Sequence, residues 1–346
     1  MSAAPVRVGL VGAGAIGLTH AETLARSATA TLVGVADPTP AAARLGDAHG
    51  VPSFPDLDAL LGATAPDAVI IATPNELHVP LAHELVRRGI PMLVEKPLGA
   101  TADEATLLAD AAARAGVPVL VGHHRRHHPA VRAASAAIAE GALGRIVAAS
   151  VTSFLRKPDD YFDVPWHRTA GTGGTFLINL IHDVDLLRHL CGEVVAVSAV
   201  ASRAARGLDV EDTGALVLTF ASGAVATIVV SDIAAAPWCW DLTAGDAPRF
   251  PVHAVDSHRI VGTDASVSLP DATVWSHAGE AVWTTPLRGI PLPLDAANAF
   301  DRQLDHFAAV ARGEAEPVVG AADGARNVAI VEAVARAAHT GRSVAV

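Results

Sequence analysis

A chain of 346 residues is longer than one hydrophobic core usually accommodates and suits two domains of ordinary size. Apolar residues make up 51% of it and mean hydropathy is +0.37, but much of this is alanine, and no clean apolar run reaches the ~18 residues of a membrane span. A net charge of −11, spread along the chain, would repel a phosphate polymer, so a nucleic-acid partner is not expected. Two cysteines, Cys191 and Cys239, rule out a disulfide framework and, with no signal-like apolar segment near the start, suit a cytoplasmic protein in which both are small buried side chains.

Residues 1–123 alternate β-type runs with helical segments. Strands are expected over 6–11, 31–36, 68–72, 92–95 and 117–122, and helices over 20–27, 56–61, 80–88 and 102–115. Such alternation gives parallel strands joined by crossover helices, an α/β Rossmann domain. From 124 to 346 the texture changes. A helix over 129–140 leads through 141–144 into a strand at 146–154, and a helix over 174–190 precedes β-type runs at 194–202, 213–220, 224–231, 258–262 and 265–269. Short turns between these runs imply an open, mainly antiparallel sheet in an α+β domain. Helices over 297–312 and 321–340 close the chain, the last packing back on the first domain. Segment 234–256, with three prolines and two tryptophans, reads as a loop or lid.

The run Val8-Gly9-Leu10-Val11-Gly12-Ala13-Gly14-Ala15-Ile16-Gly17 carries three glycines in the spacing G-x-G-x-x-G between an apolar strand and a helix. Gly12 permits the tight turn, Gly14 lets the backbone approach a pyrophosphate, and Gly17 lets the helix pack closely. The N–H groups of the first helical turn, where Ala15 and Ile16 lie, then face the phosphates. Asp37 ends the second strand, where its carboxylate accepts hydrogen bonds from ribose hydroxyls and repels a 2′-phosphate. The cofactor expected is therefore NAD rather than NADP.

Two further segments follow apolar strands, at the ends where open α/β sheets gather ligands. They are Thr73-Pro74-Asn75-Glu76-Leu77-His78 and Glu95-Lys96-Pro97. A lysine there needs work or a partner. Taken alone, the triplet leaves a proton-transfer lysine and a structural Glu95–Lys96 ion pair evenly balanced.

These residues, with Gly173-Gly174, His182, Asp185 and the arginine and proline of 122–129, resemble the glucose-fructose oxidoreductase / inositol dehydrogenase / rhizopine catabolism family of NAD(P)-dependent oxidoreductases. The resemblance spans both halves of the chain in order. It implies a dehydrogenase acting on a secondary hydroxyl of a sugar, inositol or related cyclic polyol, built as a homodimer or homotetramer. Thr73, Pro74, Asn75, His78, Glu95 and Lys96 then border the cofactor, and Lys96 and His182 flank the substrate hydroxyl. Many members carry aspartate where this chain has Ile178. Asn179 lies three positions before His182, nearly on one helix face, and joins the catalytic candidates. His124 stands where many members have asparagine and is a substrate-binding candidate. Tyr161, Trp166 and Arg168, in a loop before the His182 helix, suit a polyol's C–H face and hydroxyls. Trp238, Trp240 and Asp241 are candidates for a lid, and Asp185 for a pair with Arg188.

The histidines at 123, 124, 127 and 128 invite a metal. Two arginines interrupt them and no carboxylate or thiol adjoins them in sequence, so no metal is expected and the run reads as a site wall with some solvated histidines. Two rival functions stay open at this level: a non-catalytic NAD(P)-dependent sensor or regulator, and a reductase of a dihydrodiol or other carbonyl substrate.

Overall fold

The computed structural model describes residues 4–346. The chain up to His124, with Ala299–Val328, forms one compact unit; Arg125–Asn298 with Ala329–Val346 forms a second.

In the first unit β1 (Val6–Val11) is followed by α1 (Ala15–Ala25), β2 (Ala30–Ala36), α2 (Ala41–His49), β3 (Ser53–Phe54), α3 (Leu57–Thr64), β4 (Ala68–Ile71), α4 (His78–Arg88), β5 (Met92–Val94), α5 (Ala102–Ala115) and β6 (Val119–Val121). The strands form one parallel sheet in the order β3-β2-β1-β4-β5-β6. Every residue of β4, β5 and β6 is buried, on both faces of the pleat, which is why these strands read as unbroken apolar runs. The order reverses between β1 and β4, and the crevice at their C-terminal ends is where such sheets take ligands. Local chemistry sets the helix starts: Asp56 accepts the Ala59 N–H at 2.8 Å to cap α3, and Thr101 accepts the Glu104 N–H at 3.2 Å to cap α5. Helix α1 begins at Ala15, five residues earlier than the periodicity suggests, because the glycine turn itself is its entry. Helix α2 and the short β3 were not expected from the alanine-rich sequence.

The second unit contains α6 (Pro129–Ala139), β7 (Ile146–Phe154), α7 (Ile181–Cys191), β8 (Val194–Ser202), β9 (Thr213–Phe220), β10 (Val225–Ser231), β11 (His258–Gly262), β12 (Ala265–Leu269), β13 (Thr273–His277), β14 (Leu287–Pro291) and β15 (Val344–Ala345). Its nine-stranded sheet runs β14-β13-β12-β11-β7-β10-β9-β8-β15, antiparallel throughout except where β7 and β10 pair in parallel. Strands β13, β14 and β15 have no clear signal in the sequence. One face of the sheet packs against α6 and α7. On the other, the register aligns Val200, Val217, Val225, Val229, Val261 and Trp275, each at least 37% exposed. Instead of one helix over 174–190, a π-helical turn at Phe176–Leu180 precedes α7. Among the described residues no helix is long and apolar enough to cross a membrane.

Candidate active site

The glycine turn has the geometry of a phosphate cradle. Gly12 has φ +100°, and a Cβ there would lie 2.4 Å from the Ala72 carbonyl oxygen; one on Gly17 would lie 2.1 Å from the Gly12 oxygen. A Cβ on Gly14 would meet nothing within 4 Å, so that glycine leaves open space instead of relieving a clash. No side chain caps α1 and no acid sits in its first turn, so the N–H groups around Ala15, Ile16 and Gly17, which have no intrahelical acceptor, are available to an anion.

Asp37 Oδ2 accepts the Ala13 N–H at 2.9 Å, and Oδ1 accepts the Thr39 N–H at 2.9 Å and hydroxyl at 2.6 Å. Partial burial works to raise its pKa, but the hydrogen bonds from Thr39 and Ala13 outweigh it and hold the carboxyl below its ordinary value. The carboxylate is ionised, half-buried and beside the glycine turn, as ribose recognition requires.

Past β4, Thr73 carries a buried hydroxyl oxygen with no hydrogen-bond partner, Pro74 is exposed, and Asn75 opens a short turn. His78 is 1% exposed and bridges two loops, one ring nitrogen 2.9 Å from the Thr73 carbonyl oxygen and the other 2.8 Å from that of Pro97. Burial lowers its pKa against the pull of those carbonyls. A neutral imidazole carries one N–H, so His78 donates to one of the two carbonyls and packs against the other. Past β5, Lys96 is half-buried and its backbone N–H donates to Glu95 Oε2 at 3.3 Å. The Glu95 carboxylate is bound by a residue not anticipated from the sequence, His20 on α1, at 2.8 Å. Also in this unit, His124 stacks on Phe300 at 4.3 Å and 15°, and the His123 ring lies 3.1 Å from the Asn327 amide.

In the second unit His182 is buried in the first turn of α7. The π-helical turn before it carries Asn179, whose amide oxygen is buried without a hydrogen-bond partner. The expected single α-helix is thus interrupted between Asn179 and His182. Glu211 sets this turn: it accepts the Phe176 N–H at 2.7 Å, and Gly174, at φ +90°, leaves room for its carboxylate. Next to His182, Asp183 is fully buried and accepts from Arg125 at 2.6 Å and His258 at 3.1 Å. Arg125 reaches on to Asp241 at 3.1 Å. Burial pushes the Asp183 pKa up, but Arg125 and then His258 overcome it, so the carboxyl titrates below its ordinary range.

Several expectations are corrected here. Asp185 takes a two-pronged bond from Arg126, at 2.9 and 2.6 Å, while Arg188 bonds Glu193. No histidine of the 123–128 run is exposed: His123, His127 and His128 are buried and His124 half-buried. Carboxylates distant in sequence do approach the run, although among the described residues no three His, Cys, Asp or Glu side chains converge as a metal-ligand set. Trp240 is 1% exposed and donates to Asp246 at 2.7 Å, which anchors this part of 234–256, whereas Trp238 is exposed and Asp241 is half-buried against Arg125.

Tyr161 stacks flat on His167 at 3.7 Å, with the Lys157 ammonium 4.8 Å from its ring. Burial and Asp232 push its hydroxyl up to about 12, so it stays protonated. Trp166 is half-buried against His167 and Arg168 is exposed. His20 was legible in principle, as a polar residue on the buried face of α1 with Gly17, Ala21 and Leu24. Glu211 and Asp183 had no such local signal.

Residues 6–123 match the model of an oxidoreductase family with an NAD-binding Rossmann fold (GFO/IDH/MocA), and residues 131–268 match the C-terminal domain of the same family. The chain belongs to this family and is an NAD-binding oxidoreductase. It is 31% identical to the rhizopine catabolism protein MocA of Rhizobium meliloti, over 94% of this chain and 93% of that one. It is 30% identical to an inositol 2-dehydrogenase of Rhizobium meliloti strain 1021, over 99% of both. The solved structure of the WlbA dehydrogenase from Bordetella pertussis, in complex with NADH and UDP-GlcNAcA, superposes with a TM-score of 0.79 at 27% identity, covering 99% of each chain.

Proposed function

We propose that this protein is an NAD-linked dehydrogenase that oxidises a secondary hydroxyl of a sugar, inositol or related cyclic polyol, or reduces the matching ketone. The observation that carries the reading is a half-buried lysine directly after β5, on the same sheet edge as an open, uncapped glycine turn. NAD, when bound, takes up the hydride from the carbinol carbon. Gly12, Gly14, Ala15, Ile16 and Gly17 hold its pyrophosphate; Asp37 holds its ribose; the loop from Thr73 to His78 and the Glu95-Lys96 segment border it. Lys96 binds the reacting hydroxyl and takes its proton, and His182 is the second group able to hold or pass on that proton. Asn179, with an unoccupied acceptor, orients a hydroxyl, since an amide cannot transfer protons at neutral pH. His124, Tyr161, Trp166 and Arg168 are assigned to the rest of the substrate, Tyr161 as a neutral donor and ring surface.

The same reading makes the protein cytoplasmic and a homodimer or homotetramer. Two free, buried cysteines and the exposed valine face of the second-unit sheet support it. The residue assignments are tested by Lys96→Ala and His182→Ala. Each is expected to lower turnover at least about 100-fold while leaving the NADH dissociation constant nearly unchanged. Wild-type turnover in Lys96→Ala would sink the assignment.

A further inference from the structure

We propose that His20 and Glu95 form a buried positioning pair for Lys96, tying the pyrophosphate-binding helix α1 to the lysine at the reacting hydroxyl. The inference rests on the role assigned to Lys96 above. Glu95 extends β5, its N–H donating to the Ile71 carbonyl at 2.9 Å, and is 5% exposed. Three features place its carboxylate. His20, itself 3% exposed, bonds Oε1 at 2.8 Å; the Lys96 N–H bonds Oε2 at 3.3 Å; and Gly122 leaves the space, since a Cβ there would lie 2.7 Å from the carboxyl carbon.

A buried charge is costly unless matched, and an apolar residue of similar size would usually pack as well. Retaining the charge beside Lys96 therefore points to a task. The titratable groups acting on the Glu95 carboxyl include His20 from α1, His78 from α4 and Lys96 itself, and His123 and His124 follow Gly122 on the β6 side. Burial acts to raise the Glu95 pKa, but His20, then Lys96 and His78, hold it below the ordinary value. The carboxylate is thus an acceptor only, and His20 Nε2 carries the bonded proton. Two consequences reach Lys96: its backbone is fixed to the sheet edge, and an adjacent negative charge makes its amine a better acceptor for the hydroxyl's proton. Because His20 stands on α1, the same bond sets the position of Lys96 relative to the cofactor helix.

Glu95→Gln keeps the shape and removes the charge. In the full-length enzyme kcat is expected to fall about 10- to 100-fold, the range for groups that orient a functional side chain. The acid limb of the kcat–pH profile is expected to move down by about one pH unit as the amine loses its neighbouring charge. The thermal midpoint should fall, since a buried partner of His20 is lost, but the loss of kcat should exceed any loss of NADH affinity. His20→Gln should act in the same direction, and the double variant should fall no further than the deeper single one, because the two act as a unit. Wild-type kcat with an unmoved acid limb in Glu95→Gln overturns the proposal; so does a parallel loss of NADH affinity and turnover, which marks a merely structural pair. An inactive Lys96→Met alongside a wild-type-like Glu95→Gln rejects the pair alone, whereas an active Lys96→Met rejects the role of Lys96 on which it rests. If Glu95→Gln does not fold, His20→Gln is measured in its place, and the same results support or overturn the pair.

Discussion

Asp183 and His182 are neighbours in sequence with different tasks. The histidine is assigned to the substrate, while Asp183 neutralises Arg125 and hydrogen-bonds His258. Removing one partner of a buried ion pair strands the other charge, so Asp183→Asn is expected to destabilise the protein by about 3–5 kcal/mol in denaturant titrations at neutral pH. The sign of the pH dependence follows from the direction of the shift. A carboxyl whose folded pKa is depressed contributes stability above its unfolded pKa, and that contribution is lost as pH falls through the folded value. Wild type should therefore lose stability on acidification below about pH 4, and the gap to Asp183→Asn should narrow there. A gap independent of pH would contradict this account of Asp183. The glycines, Asp37 and Lys96 were legible because their settings are built within a few residues of a strand end. The partners of Asp183 lie 58 and 75 residues away, and the His20 partner of Glu95 lies 75 away, so no local pattern announces them.

At the scale of elements, periodicity located the strands whose burial alternates or is continuous, and failed on those that are short or at an edge. Strand β14 is largely exposed and β13 mostly half-buried, so they carry little apolar pattern. The π-helical turn depends on Glu211 bonding a backbone 35 residues away, which local propensity cannot reveal. The outward face of the second-unit sheet has a consequence of its own. Val217 on β9 lies between Ser198 on β8 and Thr227 on β10, in a flat face of valines, small residues and Trp275. A face of this kind suits a self-complementary contact between copies. Light scattering is expected to give a mass at least twice that of one chain, reduced in Val217→Lys with little change in folding. A monomeric wild type would remove this reading.

For the molecule as a whole, the class of fold and the cofactor were readable because a dinucleotide imposes a fixed strand–glycine turn–helix arrangement with an acid after the next strand. Substrate identity was not: the loop from Tyr161 to Arg168, assigned to the substrate, is irregular, and Tyr161 packs on Lys157 and His167. The most direct test of the central claim is therefore turnover itself. The purified protein is incubated with NAD⁺ or NADP⁺ and a panel of inositols, aldoses and anhydrosugars, with the matching ketones in the reverse direction, and NAD(P)H absorbance is followed. The account expects at least one cyclic polyol or sugar to be oxidised, with NAD⁺ clearly preferred over NADP⁺ because of Asp37. Tight NADH binding with no turnover of any alcohol or carbonyl would contradict it and mark the protein as a dinucleotide sensor.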